Sequence, residues 1–168
     1  MQPVVERMRI GIISDTHDKL ARTVAAVELL TSGGAEALIH CGDVTGPEIV
    51  RVCGVLPSYF VFGNNDDGDP ALRRAIERMG GVCLGWAGEV PLAGKRIAVV
   101  HGHLTRDVRR LAAGQPDYLL FGHSHHPTDR RQGRTRWINP GALHRAAKYT
   151  VALLEPETDF LQFLAVPR

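Results

Sequence analysis

The chain has 168 residues, a net charge of +2 at pH 7 and a pI near 8.6. That length supports one domain, residues 1–168, with a proper hydrophobic core, and so mild a charge gives no footing for a nucleic-acid partner. No apolar run approaches the roughly 20 residues of a membrane span, and the scattered Cys41, Cys53 and Cys83 form neither a CxxC metal motif nor a disulfide framework.

Residues 1–8 read as an N-terminal arm without the apolar core of a signal peptide, so a cytoplasmic protein is expected. The run Ile10–Ile13 predicts a buried strand, since β-branched residues suit a covered, pleated surface. It ends in Ser14, Asp15, Thr16 and His17. On an extended backbone Asp15 and His17 would share one face. Leu20, Val24, Val27 and Leu30 then recur at helical spacing, with Thr16 or Asp18 as the expected cap and Gly33-Gly34 as the stop. A second strand, residues 37–41, ends in Gly42-Asp43, and Thr45-Gly46-Pro47 opens a helix that stops near Gly54. A third strand, residues 59–62, ends in Gly63-Asn64-Asn65-Asp66. Asp69-Pro70 caps and opens a helix over residues 71–79.

From residue 82 the rhythm changes to short strands joined by glycine turns: residues 82–84, 88–92 and 95–100, with Ala93-Gly94 as a hairpin turn. The last of these ends in His101-Gly102-His103. Thr105 is the expected cap of a helix through Leu111, and a strand over residues 117–121 ends in Gly122-His123-Ser124-His125. Gln132-Gly133 reads as a hairpin turn into residues 135–138, Asn139-Pro140-Gly141 as a tight turn, and residues 149–154 and 159–165 as a closing hairpin. Strand–helix units followed by mostly strand predict an α/β protein of two sheets packed face to face with helices outside.

Five apolar runs thus end in metal-ligand residue types, and five of the eight histidines fall just past such runs. In open α/β sheets the carboxyl edge of the strands is where ligands bind. The donors expected there are Asp15, His17, Asp43, Asn64, His101, His123 and His125. One divalent ion takes about four to six ligands with waters counted, so seven protein donors point to two ions sharing a carboxylate. Mixed nitrogen and oxygen donors suit manganese, iron, zinc, nickel or cobalt rather than calcium or magnesium. Such pairs sit roughly 3.5–4 Å apart, clamp both oxygens of an in-line displacement at phosphorus, and make a nucleophile of a bridging water.

Asp15-Thr16-His17, Gly42-Asp43, Gly63-Asn64-Asn65-Asp66, His101-Gly102-His103 and Gly122-His123-Ser124-His125 together resemble the signature of the calcineurin-like metallophosphoesterases. Compact size, the His-Gly-His pair and Trp137-Ile138-Asn139-Pro140-Gly141 resemble its small bacterial and archaeal phosphodiesterase subgroup, to which the phosphoesterase-like subunit of retromer is related. The resemblance implies a four-layer α/β/β/α sandwich. It implies that Asp15, His17 and His125 hold one metal, that Asn64, His101 and His123 hold the other, and that Asp43 bridges. Manganese is the first choice, and the substrate expected is a small phosphodiester or nucleotide, with a homo-oligomer admitted. A phosphomonoesterase or nucleotide phosphatase is the alternative within the class. A non-catalytic metal-binding scaffold is another, although it predicts eroded ligands and every ligand position here is filled.

Two positions depart from the family pattern. Asn65 stands where phosphatases carry a histidine acid, and an amide cannot protonate a leaving group. Either good leaving groups are preferred or His103 supplies the proton, which makes Asn65 and His103 the candidate catalytic residues. Ala142 replaces a serine common after Asn-Pro-Gly. Asp66 reads as a loop anchor or a carboxylate orienting a ligand histidine. His40 reads as structural and His126 and His144 as surface residues. Arg106, Arg109, Arg110, Arg130, Arg131, Arg134 and Arg136 read as solvated faces, and Trp86 and Trp137 as packing residues.

Overall fold

The computed structural model describes residues 7–168, so most of the expected arm at residues 1–8 lies outside the described residues. Strands β1 (Ile10–Ile13), β2 (Ala37–His40) and β3 (Ser58–Phe60) are separated by helices α1 (Leu20–Ser32) and α2 (Pro47–Cys53). Helix α3 (Pro70–Arg78) leads to β4 (Val82–Cys83), β5 (Ala87–Leu92) and β6 (Lys95–Val100). Then come α4 (Thr105–Ala113), β7 (Tyr118–Leu120), β8 (Thr128–Gln132), β9 (Thr135–Asn139), β10 (Tyr149–Glu155) and β11 (Phe160–Val166).

The strands form two mixed sheets, β11-β10-β1-β2-β3-β4 and β5-β6-β7-β9-β8. In the first, β1 to β4 run parallel and β1 pairs antiparallel with β10, so that Ile12 faces Ile39 on one side and Ala152 on the other. In the second, β6, β7 and β9 run parallel. Alternation along each strand sorts the core into three layers. Ile10, Ile12, Ile39 and Val61 meet Ile97, Val99, Leu120 and Ile138 between the sheets. Ile13, Leu38 and Phe60 face the other way, onto Val27 and Leu30 of α1, Ile49 and Val50 of α2 and Ile76 of α3. Ala98, Leu119 and Trp137 pack under Leu111 of α4. The result is the expected four-layer α/β/β/α sandwich. Its fully buried isoleucines each contribute about 1.5–3 kcal/mol of burial energy.

Local chemistry differs from expectation at three helix or strand ends. Neither Thr16 nor Asp18 caps α1: the cap position is Lys19, without a side-chain bond, because Thr16 is buried and engaged with His40. Thr105 is the first residue of α4 rather than its cap, which is Leu104. Asp69 does cap α3, accepting from the Ala71 amide at 2.8 Å. The third difference matters most for function. Asp15 and His17 do not lie on a continued strand, since β1 ends at Ile13 and both residues adopt left-handed backbone angles, φ 53° and 43°. A turn, not strand alternation, brings their side chains together.

Candidate metal centre

The carboxyl ends of β1, β2 and β3 meet those of β6, β7 and β9 at one edge of the sandwich. Backbone bonds tie the loops there: Asp15 N–H donates to the Gly42 carbonyl and Gly122 N–H to the His101 carbonyl. The fit leaves no room for side chains at Gly42, Gly63 and Gly122 of the motifs. A Cβ on Gly63 would lie within the Asp43 carboxylate, and one on Gly122 would collide with Ser14 and Asp15. Asp15, His17, Asp43, His123 and His125 all have positive φ, between 43° and 67°. Non-glycine residues enter that region rarely, aspartate and histidine more readily than most, and such strain gathers at functional sites.

The structure brings all seven expected donors together. Asp15 Oδ1 lies 3.1 Å from His125 Nε2, 3.8 Å from His17 Nε2 and 3.9 Å from His101 Nε2. Asp43 Oδ2 lies 3.2 Å from His17 Nε2 and 3.4 Å from His101 Nε2. His101 Nε2 is 3.1 Å from Asn64 Oδ1, and the His123 ring stands 5.1 Å from the His101 ring. Two donors about 2.1 Å from a shared ion, at tetrahedral or octahedral angles, are themselves about 3–3.5 Å apart. Most of these separations are of that size. Asp15 Oδ1 and His17 Nε2 are buried with no hydrogen-bond partner among the described residues, a costly arrangement unless a cation meets them. The donor set therefore fits divalent ions.

Supporting bonds fix which atoms face inward. His101 Nδ1 donates to the Cys41 carbonyl at 2.8 Å and His125 Nδ1 to the Arg145 carbonyl at 3.3 Å, leaving Nε2 of each ring for the site. Ser14 Oγ donates to Asp15 Oδ2 at 2.6 Å, and the His123 amide donates to the same oxygen. Asn65 holds Asp43 twice, through its amide N–H at 2.9 Å and its side-chain Nδ2 at 2.8 Å. Asp66 accepts from the amides of Gly63, Val44 and Thr45, so it anchors the two loops and touches no ligand histidine. His40 is structural: one nitrogen accepts from the Gly42 amide and the other meets Thr16 Oγ1.

Electrostatics follow from this packing. Burial alone would raise the Asp43 and Asp15 carboxyls, yet the histidines around them hold both below the usual carboxylate range. The same contacts, to Asp15 first and Asp43 next, push His17 up to about 9. Burial holds His40 down to about 3. His103 is lowered, by burial and then by His101 and His123.

Not every expectation of placement holds. The cleft is lined by His17, Asp43, Asn64, Asn65, His123, His125, His144 and Arg145, and His103 stands beside it, 6.2 Å from the His123 ring. It packs 5.4 Å from the His101 ring and 5.7 Å from Trp86. His144, read as a surface residue, sits on the cleft wall 4.5 Å from the His17 ring. Sequence reasoning also missed Asn139, whose Nδ2 donates to the Gly122 carbonyl and Ser124 Oγ and so braces the His123–His125 loop. Its position at the end of a buried strand, before Pro140-Gly141, was the available signal. Nothing in the sequence pattern marks His144 or Arg145, which a loop carries to the site. Ala142 is fully buried, and Arg130 lies over the Trp137 ring, which confirms Trp137 as a packing residue.

A two-sheet sandwich with histidines, carboxylates and an asparagine converging at one strand edge defines a metallophosphoesterase. The calcineurin-like phosphoesterase superfamily domain matches residues 8–159, and the chain belongs to that family of hydrolases. It is 28% identical over 139 residues to "Phosphodiesterase MJ0936" of Methanocaldococcus jannaschii, covering 80% of this chain and 83% of the relative. Among solved structures, an archaeal phosphodiesterase superposes with a TM-score of 0.85 at 24% identity, over 94% of this chain and 99% of its own. Vacuolar Protein Sorting 29 of Cryptosporidium parvum superposes at 0.67 with 16% identity, over 95% of this chain and 96% of its own, a likeness of fold. Among the described residues no helix is long and apolar enough to cross a membrane.

Proposed function

We propose that this protein is a phosphodiesterase that works with two divalent transition-metal ions, manganese first among them. Asp15, His17 and His125 would hold one ion, Asn64, His101 and His123 the other, and Asp43 would be shared. The observation that carries the reading is the position of Asp43 Oδ2, within 3.4 Å of imidazole nitrogens from both sets. Bound there, the ions would polarise phosphoryl oxygens and lower the pKa of a water.

The chain's own groups do the rest. Asn65 keeps both Asp43 oxygens oriented and leaves an amide, not an acid, beside the phosphoryl position. The basicity of His103 is lowered, by burial first and by His101 and His123 next. Both features favour esters whose leaving oxygen departs without a proton, and diesters of acidic alcohols or phenols are of that kind. A panel of phosphomonoesters and phosphodiesters, run with manganese, nickel, iron, zinc and cobalt in turn, tests the proposal. Diester turnover should exceed monoester turnover and rise with leaving-group acidity. A metal-loaded protein inert toward every activated diester would overturn it.

A further inference from the structure

Part of the cleft wall belongs to no donor set. The cleft encloses about 320 Å³, and its rim beside His17 and His125 is formed by His144 and Arg145. Arg145 is fixed by its backbone: φ is 46°, and its carbonyl holds the His125 ring. Its side chain is exposed and, among the described residues, lies within ion-pair distance of no carboxylate, and the same is true of Lys19. Lys19 is held two residues past His17, its amide donating to the Thr16 carbonyl at 2.9 Å. Asp18, the nearest acidic residue in sequence, turns against Gly46. Arg22 in the first turn of α1 donates to the Leu143 carbonyl, which sets the N-terminal end of that helix at the same rim. No acidic side chain occupies that first turn.

An unpaired arginine and an imidazole therefore line a cleft already built to take a phosphoryl group, and Lys19 stands two residues past His17 at the cap position of α1. We propose that Arg145, Lys19 and His144 form an anion subsite that selects phosphoesters carrying a second phosphate beside the scissile one. The inference rests on the phosphoesterase reading for the place of the first phosphate. Arg145 supplies the planar, bidentate donor pair that suits phosphate oxygens, and Lys19 a movable point charge.

Calorimetric binding of adenosine 5′-phosphate and of adenosine 3′,5′-bisphosphate to the manganese-loaded protein tests this without turnover. The bisphosphate should bind at least about tenfold more tightly, since a charge-assisted phosphate contact is worth roughly that much. Arg145→Gln and Lys19→Gln should each shrink the ratio, and the double variant should bring it near unity. Arg145→Lys, which keeps the charge, should restore part of it. Arg78→Gln, at the far end of α3, controls for net charge and should leave the ratio as in the wild type. Equal affinities in the wild type, or a ratio unmoved in the double variant, would overturn the subsite. A protein that kept the ratio but cleaved no phosphoester would sink the phosphodiesterase reading and leave the subsite standing.

Discussion

Asp43 shows how much one side chain organises here. It touches His17 and His101, takes two bonds from Asn65, and sits where a Gly63 Cβ cannot. Asp43→Asn keeps the shape and removes the charge. It should lose at least one of two bound ions in elemental analysis. Turnover should fall by more than about 100-fold, since even partners behind a ligand cost 10–100-fold when removed. Two ions retained at wild-type affinity would count against a shared carboxylate. His40 carries a different kind of prediction. Its pKa is about 3 in the fold against 6.5 unfolded, so the stability of the neutral buried ring is complete above pH 6.5 and is lost as pH falls toward 3. His40→Gln can still meet Thr16 and Gly42 but cannot take up the proton. Urea midpoints measured from pH 8 to pH 4 should therefore fall less steeply in the variant than in the wild type, and an unchanged slope would show that another group titrates.

At the scale of elements, the site is a set of loops locked to strand ends, and Asp66 is the lock between two of them. Its carboxylate gathers amides from the loops after β2 and β3. Asp66→Ala should cost about 2–4 kcal/mol in urea unfolding, because three N–H groups, two of them buried, lose their acceptor. A loss below 1 kcal/mol would mean that water replaces the carboxylate. The strands leading to these loops were legible because an apolar run followed by glycine and a ligand-type residue is a pattern that recurs. The loops' geometry was not. Asp15 and His17 read as one face of a strand, whereas their left-handed backbones are imposed by the facing Gly42 and Gly122 loops, which only the tertiary structure supplies. β8 was only implied by its turn. It is an edge strand with no buried residue, and so carries no apolar alternation to read. His144 and Arg145 follow the same logic: a connection without periodicity delivers them, and only the fold shows that they face His17 and His125.

For the whole molecule, the sandwich is fastened at the end opposite the site, where Arg136 reaches Asp129 and Asp159 while Tyr118 donates to Asp159. The metal end is joined across the sheets by the His123 amide on Asp15 and by the His101 ring on the Cys41 carbonyl. Two buried carboxylates there are balanced by protons on imidazoles, His17 above all. That makes the fold's stability depend on pH and on metal in opposite senses. The folded pKa of His17, about 9, exceeds its unfolded value of 6.5, so the stability its proton lends to the metal-free protein is complete below pH 6.5 and disappears as pH rises to 9. Metal needs the unprotonated ring, so its binding gains over the same window. At about 100 times the dissociation constant a bound ion adds about 2.7 kcal/mol, or roughly 5–10 °C in Tm for a domain of this size. Calorimetric scans at pH 6.5, 7.5 and 9, with manganese or with chelator, should show a metal-free Tm that falls across the series and a metal-loaded Tm that falls less. The gap between them should widen with pH. A constant or narrowing gap would mean that the ion does not displace the His17 proton, and His17 would then have to be removed from the ligand set.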